Sequence, residues 1–404
     1  MTSDSPRMLI YSQDGLGLGH LRRTTLLAAE YMAARPDASV ITISDSPIGQ
    51  FFSAAPGHDF VKLPSIRKVS PGNWNPVRLS LKFSDVLAMR AEIIKTTALT
   101  FEPDVLLVDH MPHGAMGELV PTLEALETLP CRTVLGLRDI LDSPETVRRR
   151  WHLEGAFEVL RRHFDDVFVY GSKDVFDVAA QYAWEPELSR RLSYCGYVAS
   201  PAPTHSVEPI REQYLGENKD AELIVAMAGG GADAYPLFGT LLDAVPALTA
   251  ERNAEVVIVT GPFLAPELQE DLRIRAQGLP VHLVPSVQDS LGHMAAADLV
   301  VAMGGYNTTA EILSVGTKAL LVPRAGPSAE QTMRVSRFAE RGWLRWLAPE
   351  LLAPKSLANS MVEALSSAPD VVSGPPDLGG RVRAAELLHE QVDEYAVVPA
   401  STGG

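Results

Sequence analysis

The sequence predicts an α/β protein made of two Rossmann-like domains, each a doubly wound parallel sheet, facing one another across an interdomain cleft. Three observations predict it. Short uninterrupted Val/Ile/Leu runs alternate with longer amphipathic stretches, the βαβ pattern of a sheet covered on both faces. The alternation restarts midway along the chain. A glycine turn follows the first strand of each half, where such sheets meet their ligands. The 404 residues agree, because roughly 150 residues per domain gives two to three domains.

In the first half, Met8–Tyr11, Ser39–Ile43, Val105–Val108, Thr133–Leu137 and Val167–Val169 read as buried strands. His20–Ala34, Lys82–Thr100, Gly114–Leu126 and Pro144–His163 carry helical periodicity between them. In the second half the strands are Leu223–Ala228, Val256–Thr260, Val281–Val284, Leu299–Ala302 and Ala319–Val322. The helices there are Tyr235–Leu248, Pro266–Gln277, Thr308–Val315 and Ser328–Arg341. A Pro- and Ser-rich stretch without periodicity places the boundary near Ser200–Glu208, giving domains 1–200 and 201–404. A helix over Gly379–Glu394 can pack back on the first domain, and Pro64–Ser80 reads as one long functional loop.

Composition excludes several function classes. Lys plus Arg total 35 against 50 for Asp plus Glu, a formal charge of −15 that repels phosphate backbones, so nucleic acid is not an expected partner. Hydrophobic residues at 46% and charged residues at 21% exclude extended disorder. Cys131 and Cys195 sit in apolar runs and offer no disulfide or zinc framework, which suits a reducing cytoplasm. The polar start leads into an apolar run too short for a signal sequence, and no stretch approaches the ~18 apolar residues of a membrane span. A cytoplasmic protein is expected, with no basic amphipathic helix to dock it on a membrane.

The chemistry concentrates in three motifs. Asp14-Gly-Leu-Gly-Leu-Gly-His20 follows the first strand and opens a helix, so its glycines admit a ligand close to the backbone and the helix start offers N–H groups to an anion. Its Gly15-x-Gly17-x-Gly19 spacing departs from the dinucleotide fingerprint, and a purely structural turn is the competing reading. Gly229, Gly230 and Gly231 repeat the device in the second half. The third motif begins with Gly304 and Gly305 after a strand, has Asn307 and Thr308 positioned to cap the next helix, and sets Glu311 one turn inside it. A carboxylate there can accept two hydrogen bonds from a ribose diol while the helix start holds a diphosphate. Thr308–Glu311 is equally a generic capping box.

Gly-x-Gly-x-Gly-His at 15–20, Gly-Gly-Gly at 229–231 and Gly-Gly-Tyr-Asn-Thr-Thr-Ala-Glu at 304–311, followed by Pro323 and Glu330-Gln331, resemble the GT-B glycosyltransferases of family 28. That family includes the N-acetylglucosaminyltransferase of peptidoglycan synthesis. The runs 108–114 and 136–142 are similar to a branch of predicted bacterial glycosyltransferases and name no substrate. The resemblance implies a GT-B fold whose C-terminal domain binds a UDP-sugar or dTDP-sugar and whose N-terminal domain binds the acceptor. It implies that Glu311 binds the ribose, Gly304, Gly305, Asn307 and Thr308 the diphosphate region, and Glu330 and Gln331 the sugar, with Gly229–Gly231 approaching the phosphates.

Inverting transfer needs a base for the acceptor hydroxyl and dipoles for the departing diphosphate. His20 is the base by position, and Asp109, ending a strand at the same sheet edge, is placed to orient it. His110 and His113 compete for either role, and some relatives use the histidine for binding alone. Gly17, Gly19, Arg23, Trp74, His110, His113 and Arg138 are the expected acceptor-side residues. Arg67, Lys68, Arg78 and Lys82 around Trp74 read either as solvated charge or as a site for a phosphorylated or carboxylated acceptor. No metal-binding motif stands on a suitable strand, so catalysis without metal or other cofactor is expected. Two other readings stand beside transfer: a UDP-sugar hydrolase like that of the pseudaminic acid pathway, and a non-catalytic nucleotide-sugar-binding protein.

Overall fold

The computed structural model describes residues 5–13, 19–46, 55–70, 73–367 and 371–397. The chain divides into two units, one comprising the residues up to Val198 together with those from Asp377, the other Ala199–Pro376. The final segment is therefore part of the first unit, which the division 201–404 leaves in the second.

The strands of the first unit are β1 (Arg7–Ser12), β2 (Ser39–Ser44), β3 (His58–Lys62), β4 (Ile66–Ser70), β5 (Asn73–Pro76), β6 (Val105–Asp109), β7 (Arg132–Arg138), β8 (Asp166–Tyr170) and β9 (Leu192–Tyr194). Among the described residues, seven form a parallel sheet in the order β3-β2-β1-β6-β7-β8-β9. The chain winds outward from β1 to β3, then crosses back to β6, so the direction of winding switches between β1 and β6. Ser12 pairs in register with Asp109 there, bringing both strand ends to one edge. Strands β1 and β6 are buried on both faces, which is why they read as continuous apolar runs.

The second unit contains β10 (Glu222–Met227), β11 (Ala254–Val259), β12 (Val281–Val284), β13 (Leu299–Ala302), β14 (Ala319–Leu321) and β15 (Arg345–Trp346), in the parallel order β12-β11-β10-β13-β14-β15. Its switch lies between β10 and β13, each followed by a glycine turn. The apolar face of helix Tyr235–Thr249 packs through Leu237, Phe238, Leu241 and Leu248 into a core shared with Leu357 and Met361 of helix Pro354–Ser366.

Local chemistry explains where the elements differ from expectation. Pro64–Ser80 is not one loop, since β4 and β5 pair as an antiparallel hairpin within it. The stretch Pro144–His163 is two helices, Pro144–Leu153 and Ala156–His163, broken at Gly155 with φ +69°. Helix Val120–Leu126 starts later than Gly114, after a short turn over Ala115–Gly117. Strands β3, β9 and β15 stand at sheet edges and carry polar residues, so no continuous apolar run marks them. Helix Gly380–Val397 packs on helix Gly19–Ala34, with the His389 ring stacked 4.1 Å from Tyr31 and Arg381 paired with Glu30. Cys195 is buried and Cys131 half-buried; both thiols are free and pushed by burial up to about 12. No helix of the described residues is long and apolar enough to cross a membrane.

His58 on β3 is buried with Nε2 2.8 Å from Thr42 Oγ1, and burial pushes its imidazole down to about 4 despite the opposing charge of Asp59. The folded ring stays neutral where the unfolded ring, near 6.5, takes up a proton. Its contribution to stability is complete above pH 6.5 and is lost as pH falls towards 4. Urea midpoints measured across that window should fall on acidification, and more shallowly for His58→Gln.

Candidate functional site

Helix Gly19–Ala34 starts directly beyond β1 and carries His20 and Arg23 one turn apart, while Asp109 ends the neighbouring strand β6. Asp109 is buried, and its carboxylate holds both side chains. His20 Nδ1 lies 2.5 Å from Oδ2. Arg23 donates from Nη2 to both carboxylate oxygens at 2.8 Å and from Nε to Oδ1 at 3.2 Å. Burial by itself would raise the Asp109 carboxyl, but the charge of Arg23 and the hydrogen bonds from Arg23 and His20 outweigh it and hold it well below the usual carboxylate range.

This anion decides the tautomer of His20. Arg23 Nη2 also approaches Nδ1, at 3.0 Å, yet a guanidinium only donates and a carboxylate only accepts. The shorter, charge-assisted contact to Asp109 places the proton on Nδ1. Nε2 is left with its lone pair and has no hydrogen bond among the described residues. This is the arrangement of a general base with a carboxylate behind it.

The other acceptor-side residues fare differently. Gly17 lies outside the described residues, and Gly19 is the first residue of the helix. Arg23, expected on the acceptor, is instead 2% exposed with its guanidinium turned to Asp109 and stacked over the Tyr170 ring. Trp74, on β5, packs with Phe83 against Ile66, Val86 and Ala115 rather than standing free for stacking. His113 is buried, with Nδ1 2.7 Å from the Gly114 carbonyl. Arg138 ends β7, and His110 follows Asp109 with its ring centroid 5.2 Å from that of His20.

A buried network beneath this edge shows no sequence motif. Arg90 of helix Phe83–Phe101 donates to Glu118 from Nε and Nη2, both at 2.6 Å, and from Nη1 to Asp45 at 3.2 Å. The Tyr11 hydroxyl donates to Glu118 at 2.6 Å and accepts from the Ala115 amide. The group ties the loop after β6 to β1 and β2. The only sequence signal was an arginine on the buried face of an amphipathic helix.

In the second unit, the loop after β10 crosses the loop after β11 so closely that a Cβ on Gly231 (φ +86°) would lie 2.0 Å from the Thr260 carbonyl oxygen. Gly230 likewise abuts Phe263, whose amide donates to the Gly230 carbonyl. These two glycines are required by loop packing, whereas the space beside Gly229 is open. After β13, Gly304 is pressed against Val335, but a Cβ on Gly305 would meet nothing within 4 Å.

Helix Tyr306–Val315 is capped by Gly305, so Asn307 and Thr308 lie in its first turn and are not its caps. Gly305 brings no side-chain oxygen to the amides that helix geometry leaves without an intrahelical acceptor. Glu311 is buried in the second turn. Glu330 and Gln331 open helix Glu330–Glu340 and are engaged within the fold: Arg334 pairs with Glu330 at 3.0 Å, and Gln331 Oε1 accepts from the Arg324 amide. Arg334, buried and unforeseen, also donates to the Gly304 carbonyl. Arg324 pairs with Asp233 at 2.7 Å, so three loops of the second unit are tied together. Among the described residues, no group of three or more His, Cys, Asp or Glu side chains could hold a metal ion.

Residues 224–372 match the glycosyltransferase family 28 C-terminal domain. The chain is 26% identical over 186 residues to the UDP-N-acetylglucosamine–N-acetylmuramyl-(pentapeptide) pyrophosphoryl-undecaprenol N-acetylglucosamine transferase of Bordetella parapertussis, covering 46% of this chain and 51% of that protein. With the protein of the same name from Burkholderia thailandensis it is 33% identical over 156 residues, 36% of this chain and 41% of that one. The chain thus matches about half the length of these curated relatives. Among solved structures, MurG of Acinetobacter baumannii superposes with a TM-score of 0.58 at 14% identity, covering 98% of this chain and 100% of that chain. The glycotransferase of kitacinnamycin gives 0.62 at 18% identity, covering 96% and 99%. A putative UDP-N-acetylglucosamine 2-epimerase from Listeria monocytogenes gives 0.65 at 13% identity, covering 98% of each. At such identities the likeness establishes the fold, which is GT-B.

The two kinds of glycine should separate on substitution. Gly231→Ala should destabilise the chain by roughly 2–4 kcal/mol, through the clash and the left-handed backbone. Gly305→Ala, with φ −66° and open space, should stay within about 1 kcal/mol of the parent in urea unfolding.

Proposed function

From a chain that has the GT-B fold and carries a family 28 C-terminal domain, we propose a glycosyltransferase that moves a sugar, with inversion and without a metal, from a UDP-sugar or dTDP-sugar to a hydroxyl of a small acceptor. The observation that carries this reading is the His20–Asp109 pair at 2.5 Å with Nε2 left as a free base.

The first unit supplies the base. The acceptor oxygen forms its bond to the anomeric carbon opposite the diphosphate, and its proton passes to His20 Nε2. Asp109 stabilises the imidazolium through Nδ1–H. Arg23 keeps Asp109 an anion and fixes its plane, so both carboxylate oxygens stay engaged. The second unit holds the donor. Glu311 binds the ribose hydroxyls, and the start of helix Tyr306–Val315 with Gly305 and Gly229 receives the diphosphate as the bond to the anomeric carbon breaks and its electron pair departs with the phosphate oxygen. Glu330 and Gln331, held by Arg334 and Arg324, face the sugar. The relatives named for UDP-N-acetylglucosamine make UDP the first nucleotide to test.

Purified protein incubated with a panel of UDP- and dTDP-sugars should bind a donor and release little free nucleotide without acceptor. Rapid release by water would establish the hydrolase instead. His20→Ala should lower turnover by about 10²–10⁴-fold with donor binding intact, and full turnover would exclude His20 as base. Gly305→Ala should weaken donor binding at unchanged stability. A chelator should leave turnover unchanged, because helix amides receive the diphosphate.

A further inference from the structure

His110 stands where another residue would cost less. Its φ is +76°, a left-handed backbone that glycine adopts without the steric cost of a Cβ. Its Nδ1 is buried and has no hydrogen-bond partner among the described residues. The backbone conformation and the buried orphan atom both act against stability, so a benefit from the imidazole has to come from something other than the fold.

The orphan atom also fixes what the ring can do. A neutral imidazole carries one proton, and a buried donor without a partner costs more than a buried lone pair, so the proton sits on Nε2. Burial, with the nearby charge of Arg138, pushes the ring well below the ordinary histidine range, which keeps it neutral. His110 is therefore a fixed donor. Its ring lies 5.2 Å from that of His20, whose own Nε2 is an acceptor.

Beside His110 lies a pocket of about 60 Å³ walled by Leu141, Val147 and Trp151, room for a few waters or for a ring substituent. Arg150 on its rim is offset by Glu154 at 3.7 Å, and Asp142 adds a further carboxylate, so the pocket does not favour an anion.

We propose that His110 is a specificity residue for the acceptor, whose Nε2–H donates to the oxygen next to the hydroxyl that His20 deprotonates. The acceptor class is then a neutral polyol with vicinal hydroxyls, its reacting oxygen facing His20 and its neighbour facing His110. The role of the first oxygen rests on the transferase reading, while binding at His110 can be read without turnover.

The full chain labelled with ¹⁵N-histidine, titrated with methyl β-D-glucoside, tests this. Wild type should show His110 as the Nε2–H tautomer and shift that resonance on addition of the glucoside, with His389 unmoved. His110→Gly removes the ring and relieves the left-handed backbone, so it should fold at least as stably and bind the glucoside about tenfold more weakly. His110→Asn, which tolerates the same backbone and retains an amide donor, should recover part of the loss. An Nδ1–H tautomer, no glucoside binding to wild type, equal binding by His110→Gly, or stronger binding of glycerol 3-phosphate at His110 would each overturn the proposal. Failure of UDP-N-acetylglucosamine to bind the same samples would count against the transferase reading alone.

Discussion

The first unit depends on one buried carboxylate. An unpaired Asp109 at the sheet edge would protonate or pull water in, since isolating an ion from water costs several kcal/mol. Arg23 prevents this by matching the charge within the fold, at 2.8 Å to each oxygen. Because arginine stays charged at any working pH, the carboxylate stays ionised and accepts a hydrogen bond from His20 Nδ1–H. The neutral imidazole then has a single available tautomer, with its lone pair on Nε2. Tautomer and orientation follow from a pairing made at the switch point of the sheet.

The second unit solves a different problem, holding several loops in place without metal-ligand clusters among its described residues. Arg334 reaches from helix Glu330–Glu340 to the Gly304 carbonyl, and Arg324 bridges Asp233 and Gln331. Cations thus appear here as braces between loops, their guanidinium forks matching carbonyl and carboxylate geometry. The acidic total of the chain is compatible with a phosphate ligand for the same reason. Backbone amides can carry the ligand's charge, and they do not enter a count of lysine and arginine.

Strands β1, β6, β10, β11 and β13 were legible because a strand buried on both faces must be apolar throughout. The glycine motifs were legible as glycine runs directly after strands, although the reason for the glycine differs by position. Gly231 is demanded by the crossing loop and Gly305 by no contact within the unit, a distinction that composition cannot carry. The hairpin of β4 and β5 escaped notice because its proline and glycine content reads as loop, and its pairing is made only with itself.

By itself the sequence determined the two-sheet plan, the glycine turns, and the placing of His20 at a helix start and Asp109 at a strand end, since each follows from local period or from a residue's own conformational limits. Only the tertiary structure decided that Arg23 belongs to Asp109, that Arg334 belongs to Glu330 and Gly304, and that His110 is strained beside His20. Asp109 and Arg23 are 86 residues apart in the chain. Nothing in the period or composition of either segment records such a partner, because the pairing arises when parallel strands bring distant chain ends to one edge and exclude the water that would otherwise have served both.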